Sequence, residues 1–485
     1  MEDPFRTRNR LVAQVLSPSR RQTGSIFHKH FFCCERRSYF VVGGFQLTEN
    51  EATTMSSTLR DAMVPAAVSC RFARAAIEKA PATTYDPFDA TFLNDPYAIF
   101  TQLRVEAPVA YAPAIEMWTV TDYADVDAIF KDPETFSAAI AQSPLDPIDP
   151  AAQKILRDGF RPLAVMSNLD PPEHARIKWH TSRAFSARRI SFMETVIRER
   201  ATALVNALPA SGEVDLVATL AFPLPAVTIF KMIGFPDDDM EMLKSWCGNR
   251  LVMTWGRATP EDQARIARQM VSYFAYCEAF VQKRVAEPAD DLTSDLLATG
   301  LEDGTLSHDE IVSIIYGLSF AGHENITNMI ANTVRRLLEH PQIWDAFVAD
   351  TARLLPNTIE EALRFDSSNI AWRRVTTRAV TLRGVEIPKG ARILVLLGAA
   401  NHDPAHFPNP ETFDIERKDA RTHLAFGKGI HYCLGAALTR LELGIVLELL
   451  AARYPKMTLG AKRDYSYTAN VVFRGPTSLP VVLAS

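Results

Sequence analysis

The sequence predicts a mainly α-helical fold with a small β portion, and three observations carry that prediction. Most of residues 150–350 repeats apolar side chains at helical spacing. Five short runs rich in β-branched or aromatic residues, "VAYAP", "MWTVTDY", "AVTLRG", "RILVLLGAA" and "LPVVLA", read as strands and lie outside that helical stretch. No internal repeat or low-complexity linker divides the chain after its first 85 residues, so one large domain over 86–485 is the simplest organisation.

Residues 1–85 read as an N-terminal appendage, either disordered or an extension of the reading frame. They carry Arg6, Arg8, Arg10, Arg20, Arg21, Arg36 and Arg37 without a sustained helical or alternating period, and Met55 and Met63 are possible later starts. Glu2, Asp3 and the lack of a clean apolar run argue against a secretory signal.

With 47% hydrophobic and 22% charged residues, the chain has ample material for a core. A formal charge of −5 gives no general attraction to nucleic acid or to an anionic membrane, so neither is expected as a partner. The best candidate for a membrane span, "LVATLAFPLPAVTIF" at 216–230, is short and interrupted by Pro223 and Pro225. Six scattered cysteines do not form a disulfide framework and fit a reducing cytoplasm.

The stretch "LSHDEIVSIIYGLSFAGHENITNMIANTVRRLLEHP" predicts one long helix. Ser307 and Glu310 form a capping box and Pro341 follows the end, giving about 50 Å at 1.5 Å per residue. Its first half is apolar on most faces, yet the middle turns polar at Gly322, His323, Glu324, Asn325, Thr327 and Asn328. Such groups are costly in a core unless they line a cavity or satisfy one another. A surface-exposed polar turn is the plain alternative. A zinc-protease reading fails because Thr327 stands where H-E-x-x-H needs its second histidine.

"TIEEALRF" puts Glu361 and Arg364 on one helix face, a pair common on any solvated helix. In "AWRRVTTRAVTLRG", Arg373 and Arg374 are strand neighbours and point to opposite faces.

From Leu434 in "HLAFGKGIHYCLGAALTRLE", helical spacing runs to Ala452 and stops at Pro455. Cys433 therefore lies at a helix N-terminus, where free N–H groups and the helix dipole favour the thiolate. Gly427, Gly429 and Gly435 permit unusual backbone angles and clear the approach to the sulfur for a large flat partner. Zinc would need C-x-x-C partners, which Cys33, Cys34, Cys70, Cys247 and Cys277 do not supply. A nucleophile elbow would need glycine where His431 stands. A buried structural cysteine is the commonest alternative but leaves the three glycines unexplained. A thiolate ligand to haem explains them.

Phe426, Gly429, His431, Cys433 and Gly435 resemble the haem-binding signature F-x-x-G-x-H/R-x-C-x-G of the cytochrome P450 family. The resemblance extends over roughly 86–485. It implies a haem b enclosed between the long central helix and the helix after the cysteine loop, with Cys433 as axial ligand to iron. Ala321, Gly322 and Glu324 match the family's oxygen-binding pattern A/G-G-x-D/E-T, whereas Asn325 stands where threonine is usual. Glu324 and Asn325 are then the residues expected to deliver protons, and Glu361 with Arg364 the family's structural E-x-x-R pair. "DPPEHARIK" is similar to the family's D-P-P-E-H-x-R-x-R, which with Arg374 makes His174, Lys178, Arg374 and His431 the expected cations for the haem propionates.

The resemblance further implies a monooxygenase that inserts one atom of O2 into a small organic substrate. Leu318, Ala321, Ile370, Ala371, Val472 and Phe473 are the candidate pocket walls, an apolar set. With 86–485 used up by this domain, electrons originating from NAD(P)H are expected through a separate ferredoxin or flavodoxin and its reductase. That partner is expected to dock at Lys428, Arg440 and Arg176, on a monomer. A peroxide-driven peroxygenase and a non-catalytic haem sensor are the alternatives.

Overall fold

The structure is a computed structural model that describes residues 30–34, 37–42, 45–47, 74–301 and 304–484. The chain forms two units, Met1–Ser57 and Thr58–Ser485. The first holds an antiparallel sheet of β1 (His30–Cys34), β2 (Arg37–Val42) and β3 (Phe45–Leu47). Strands of three to six residues are too short to register as a period, which is why the sequence shows none there. The remaining expectations for residues 1–73 lie outside the described residues.

The larger unit begins before residue 86. Tyr111 N–H donates to Pro81 O and Thr83 N–H to Tyr111 O, while Tyr85 is buried, so residues 74–85 belong to the body rather than to the appendage. α1 (Pro96–Glu106) starts where the Asp95 carboxylate accepts from Tyr97 N–H and proline fills the first helical position. The hairpin β4 (Val109–Ala112) and β5 (Met117–Val120) follows, then α2 (Tyr123–Lys131) and β6 (Phe136–Ser137).

Most of residues 150–350 is helical as expected, with β7 (Gly212–Asp215) a strand within that stretch. The elements that frame the site are α3 (Glu173–Ala184), α4 (Ala187–Ala207), α5 (Pro223–Ile233), α6 (Asn249–Trp255) and α7 (Pro260–Ala286). The expected single long helix is two, α8 (His308–Ala321) and α9 (Glu324–Glu339). The Ser307–Glu310 capping box opens α8 as the sequence implies. The break comes at Gly322 and His323, where His323 N–H reaches only three residues back, to Phe320 O at 3.3 Å. A Cβ on Gly322 would lie 2.6 Å from Ile229 Cγ1, so only glycine lets α5 pack this closely against the break.

After α10 (Thr351–Phe365), the strands β8 (Trp372–Thr376), β9 (Val380–Leu382), β10 (Val385–Ile387) and β11 (Arg392–Val395) lead to α11 (Ala436–Arg453), β12 (Thr458–Leu459) and β13 (Pro480–Leu483). The "LGAA" end of the expected strand 392–400 is a helical turn instead. A five-stranded sheet runs β4-β5-β11-β8-β6, with β11 parallel to β5 and the other neighbours antiparallel.

Ile197, Ile315, Ile330, Val334, Leu443 and Val446 of the packed helices lie in the main hydrophobic core. Burying each such side chain contributes roughly 1.5–3 kcal/mol. A second core gathers Phe100, Leu251, Trp255, Phe320, Ile370 and Phe473 with Met117 and Leu394 of the five-stranded sheet. Among the described residues, no helix is long and apolar enough to cross a membrane.

Candidate active site

The cysteine loop is drawn tight by its own backbone. Gly427 N–H donates to Leu424 O at 2.8 Å and Cys433 N–H to Phe426 O at 3.0 Å. Gly427 and Gly429 adopt φ of 66° and 65°, and a Cβ on Gly429 would lie 2.4 Å from Phe130 O of α2. Gly435 is different. It caps α11 at an ordinary φ of −80°, so its backbone angles do not require glycine.

Cys433 sits half-buried just before that cap. Burial pushes its thiol up, against the opposing pull of the Gly435 backbone and the Lys178 and Arg440 charges. Desolvation thus opposes the helix terminus, which by itself favours the thiolate, and a cationic partner such as a metal centre would favour the anion.

Phe426 lies beneath the Arg440 guanidinium, 4.7 Å from its ring centroid. Arg440 is held in turn by Glu360 at 2.7 and 3.0 Å, and His423 Nε2 lies 3.1 Å from the same carboxylate. Arg440 is thus part of the loop's frame rather than a free docking cation. Arg176 is likewise engaged, by Glu173 and Glu310. Lys428 shows no ion pair among the described residues.

The basic residues converge beside the loop. The His174 and His431 rings lie 4.3 Å apart, and Lys178 Nζ donates to Ile430 O and, at 3.3 Å, to Tyr432 O. Arg374 is buried, bonded to Arg373 O at 2.8 Å, with Phe130 at 5.0 Å. Arg373 points to the other face, onto Ala141 O and Ser143 O, as strand alternation requires.

Burial and the neighbouring positive charges push His174 down to about 4 and His431 down to about 3, and burial pushes Arg374 down to about 10. Asp170 opposes this at His174 and Arg374, but its carboxylate already accepts from Ser137 Oγ and Ala138 N–H. His431 Nδ1 faces Met166 O at 3.1 Å, whereas its buried Nε2 has no partner. A buried basic cluster with an orphaned nitrogen suits an incoming anion. The residues present therefore fit a haem, with carboxylates for the cluster and iron for Cys433.

On the oxygen-helix side, Ala321 is exposed although the preceding turns of α8 are mostly buried. Glu324 opens α9, and burial pushes its carboxyl up to about 7. Gly248 leaves room for it: a Cβ there would lie 2.9 Å from Glu324 Oε1. Asn325 Nδ2 donates to Ala321 O at 3.3 Å, and its buried Oδ1 has no partner.

Of the expected pocket walls, Ile370, Ala371, Val472 and Phe473 share the second core, with Ile370 N–H donating to Val472 O at 2.9 Å. Leu318 belongs instead to the main helical core, so the structure does not join it to the other four. Trp255 and Phe320 stack at 5.7 Å within that second core, and Trp255 meets Phe473 edge-on at 5.0 Å. Neither was expected in the pocket: "NRLVMTW" carries no pattern that separates Trp255 from an ordinary core helix, and Phe320 reads as part of the apolar first half of the long helix.

Glu361 and Arg364 are wholly buried and paired at 2.7 and 2.8 Å. Arg364 also donates to Asn401 O, Pro410 O and Thr412 O, and Arg417 reaches Glu361 at 3.2 Å. The expected pair is therefore a triad that ties α10 to the segment before the cysteine loop. Nothing in the sequence singled out Arg417.

The family model described as cytochrome P450 matches residues 231–458. The cyclomarin C epoxidase of Salinispora arenicola is 36% identical over 78% of this chain and 93% of its own length. The vitamin D(3) 25-hydroxylase of Pseudonocardia autotrophica is 35% identical over 82% of this chain and 96% of its own. Among solved structures, cytochrome P450 CREJ in complex with (4-ethylphenyl) dihydrogen phosphate superposes with a TM-score of 0.78 at 38% identity, covering 82% of this chain and 99% of that one.

Proposed function

The chain belongs to the cytochrome P450 family of haem monooxygenases, and we propose that it inserts one atom of O2 into a small, largely apolar organic substrate, by hydroxylation or oxidative dealkylation. The observation that carries this reading is the convergence of the Cys433 loop with the buried basic cluster of His174, Arg374 and His431. Cys433 Sγ would hold the iron and the cluster the propionates, with Lys178 bracing the loop through its carbonyls. Haem held by a thiolate supplies O2 binding and cleavage.

The chain's own part is proton handling and exclusion of water. A carboxyl poised near pH 7 can hold and release a proton at Glu324, as a general acid at neutral pH should. One N–H of the Asn325 amide goes to Ala321 O, so the groups it offers are the second N–H and the Oδ1 acceptor, which has no partner. The apolar walls around Trp255, Phe320 and Phe473 keep the substrate dry.

Electrons from NAD(P)H would arrive through a separate ferredoxin or flavodoxin and its reductase, with Lys428 on the cysteine loop as a docking cation. Product formation driven by ferredoxin and its reductase, compared with that driven by hydrogen peroxide on one substrate, tests this. Turnover under the first condition alone is expected; turnover only with peroxide would make the protein a peroxygenase, and turnover with neither would favour a sensor.

A further inference from the structure

One charged side chain beside the second core serves none of these roles. Arg250, on α6, lies half-buried between that helix, the loop after β6 and α8. Its guanidinium carbon stands 5.2 Å from the Tyr316 ring centroid and 5.3 Å from that of Phe320, residues one turn apart on α8. Nη2 donates to Gln142 Oε1 at 3.0 Å, and Gln142 Nε2 donates to Ser167 Oγ at 3.2 Å. Nε is buried without a partner, and no carboxylate pairs with this arginine among the described residues. Its neighbour Arg257, by contrast, pairs with Asp146 at 3.0 Å.

The surroundings are rigid. Trp255 Nε1 and Arg373 Nη2 both donate to Ala141 O, and Arg373 also holds Ser143 O, so the loop that carries Gln142 is pinned on both sides. Phe320 precedes the exposed Ala321, and Leu251 and Trp255, further along α6, lie in the apolar core with Ile370 and Phe473. A cation held by two aromatic faces and one amide, with an unused donor and no counter-ion, is costly unless an anion completes it.

We propose that Arg250 binds an oxyanion on the substrate, a carboxylate or a phosphate monoester, while the apolar remainder of the substrate extends along Trp255 and Phe320 towards Ala321. The proposal rests on the monooxygenase reading and narrows its substrate class. Guanidinium pairs with such groups through directed, charge-assisted hydrogen bonds, and a neutral analogue leaves the cation unpaired.

Calorimetric titration of the full-length, haem-loaded protein with 4-propylbenzoate, 4-propylphenyl phosphate and the neutral 4-propylbenzamide tests this. At least one anion should bind roughly tenfold or more tightly than the amide. Arg250→Gln should abolish that preference while leaving the amide within about twofold, and Arg250→Lys should restore part of it. Whichever anion wins identifies the headgroup. Arg198→Gln, which removes an exposed cation paired with Glu448, controls for net charge and should change nothing.

Equal binding of all three probes by the wild type, no binding of either anion, or a uniform loss across the probes in Arg250→Gln overturns the proposal. The ferrous carbon monoxide spectrum of each preparation separates the two readings. A wild type without the red-shifted haem-thiolate band undoes the monooxygenase reading, whereas an intact band with no anion preference undoes only this one.

Discussion

Asn325 Nδ2 donates to the carbonyl of Ala321, four residues back, across the break between α8 and α9. The break frees backbone groups that a continuous helix would pair, and this amide takes up one of them. Threonine, usual here in the family, can bond the same carbonyl through its shorter hydroxyl.

Asn325→Ala should therefore leave Ala321 O without its side-chain donor and remove the Oδ1 acceptor, raising the share of electrons lost as peroxide several-fold. Substrate affinity should stay within about twofold, since the amide handles protons and backbone rather than substrate. Peroxide released per NAD(P)H consumed, beside a binding titration, measures both. Weaker substrate binding with coupling intact would make Asn325 a pocket wall.

Glu324 should give the fold a distinct pH dependence. Its carboxyl is pushed up to about 7 by burial, from an ordinary 4.5. Below the ordinary value both folded and unfolded chains hold the proton. Between it and about 7 only the folded chain does, so stability is lost as pH rises through this window. By the top of the window the loss reaches about 3 kcal/mol, at about 1.4 kcal/mol per pH unit crossed. Glu324→Gln, which never ionises, should match the wild type near pH 5 in urea unfolding and exceed it near pH 8, while turnover falls at least tenfold.

The triad of Glu361, Arg364 and Arg417 should behave as a structural keystone. Arg364→Met strips one cation from a buried carboxylate and leaves the carbonyls of Asn401, Pro410 and Thr412 without their donor. A loss of about 3–5 kcal/mol in urea unfolding is expected, with haem content falling in step because the triad anchors the segment leading to Cys433. A variant that keeps its stability while losing turnover would give the pair a role in the chemistry instead.

Where the physics is local, the sequence was readable. The capping box at Ser307, the helix after Cys433 and the opposed directions of Arg373 and Arg374 all follow from spacing and alternation. What it hid depends on partners distant in the chain. The helix break needs Ile229 against Gly322, and Arg417 joins Glu361 from 56 residues away. Arg440 and Arg176 look like free surface cations until Glu360 and Glu310 are placed beside them. The Cys433 thiol is a similar case: the helix terminus is visible in the sequence, but the burial that opposes it is not.

The measurement that tests the account most directly is the ferrous carbon monoxide spectrum of the wild type beside that of Cys433→Ser. The wild type should show the red-shifted band of a thiolate-ligated haem. The variant should unfold in urea close to the wild type and lose the band, because serine keeps the size of the side chain but cannot offer the soft anionic sulfur. A Cys433→Ser protein that retains the band would contradict the assignment of Cys433 as the axial ligand, and with it the reading of the loop, the basic cluster and the broken helix as one haem site.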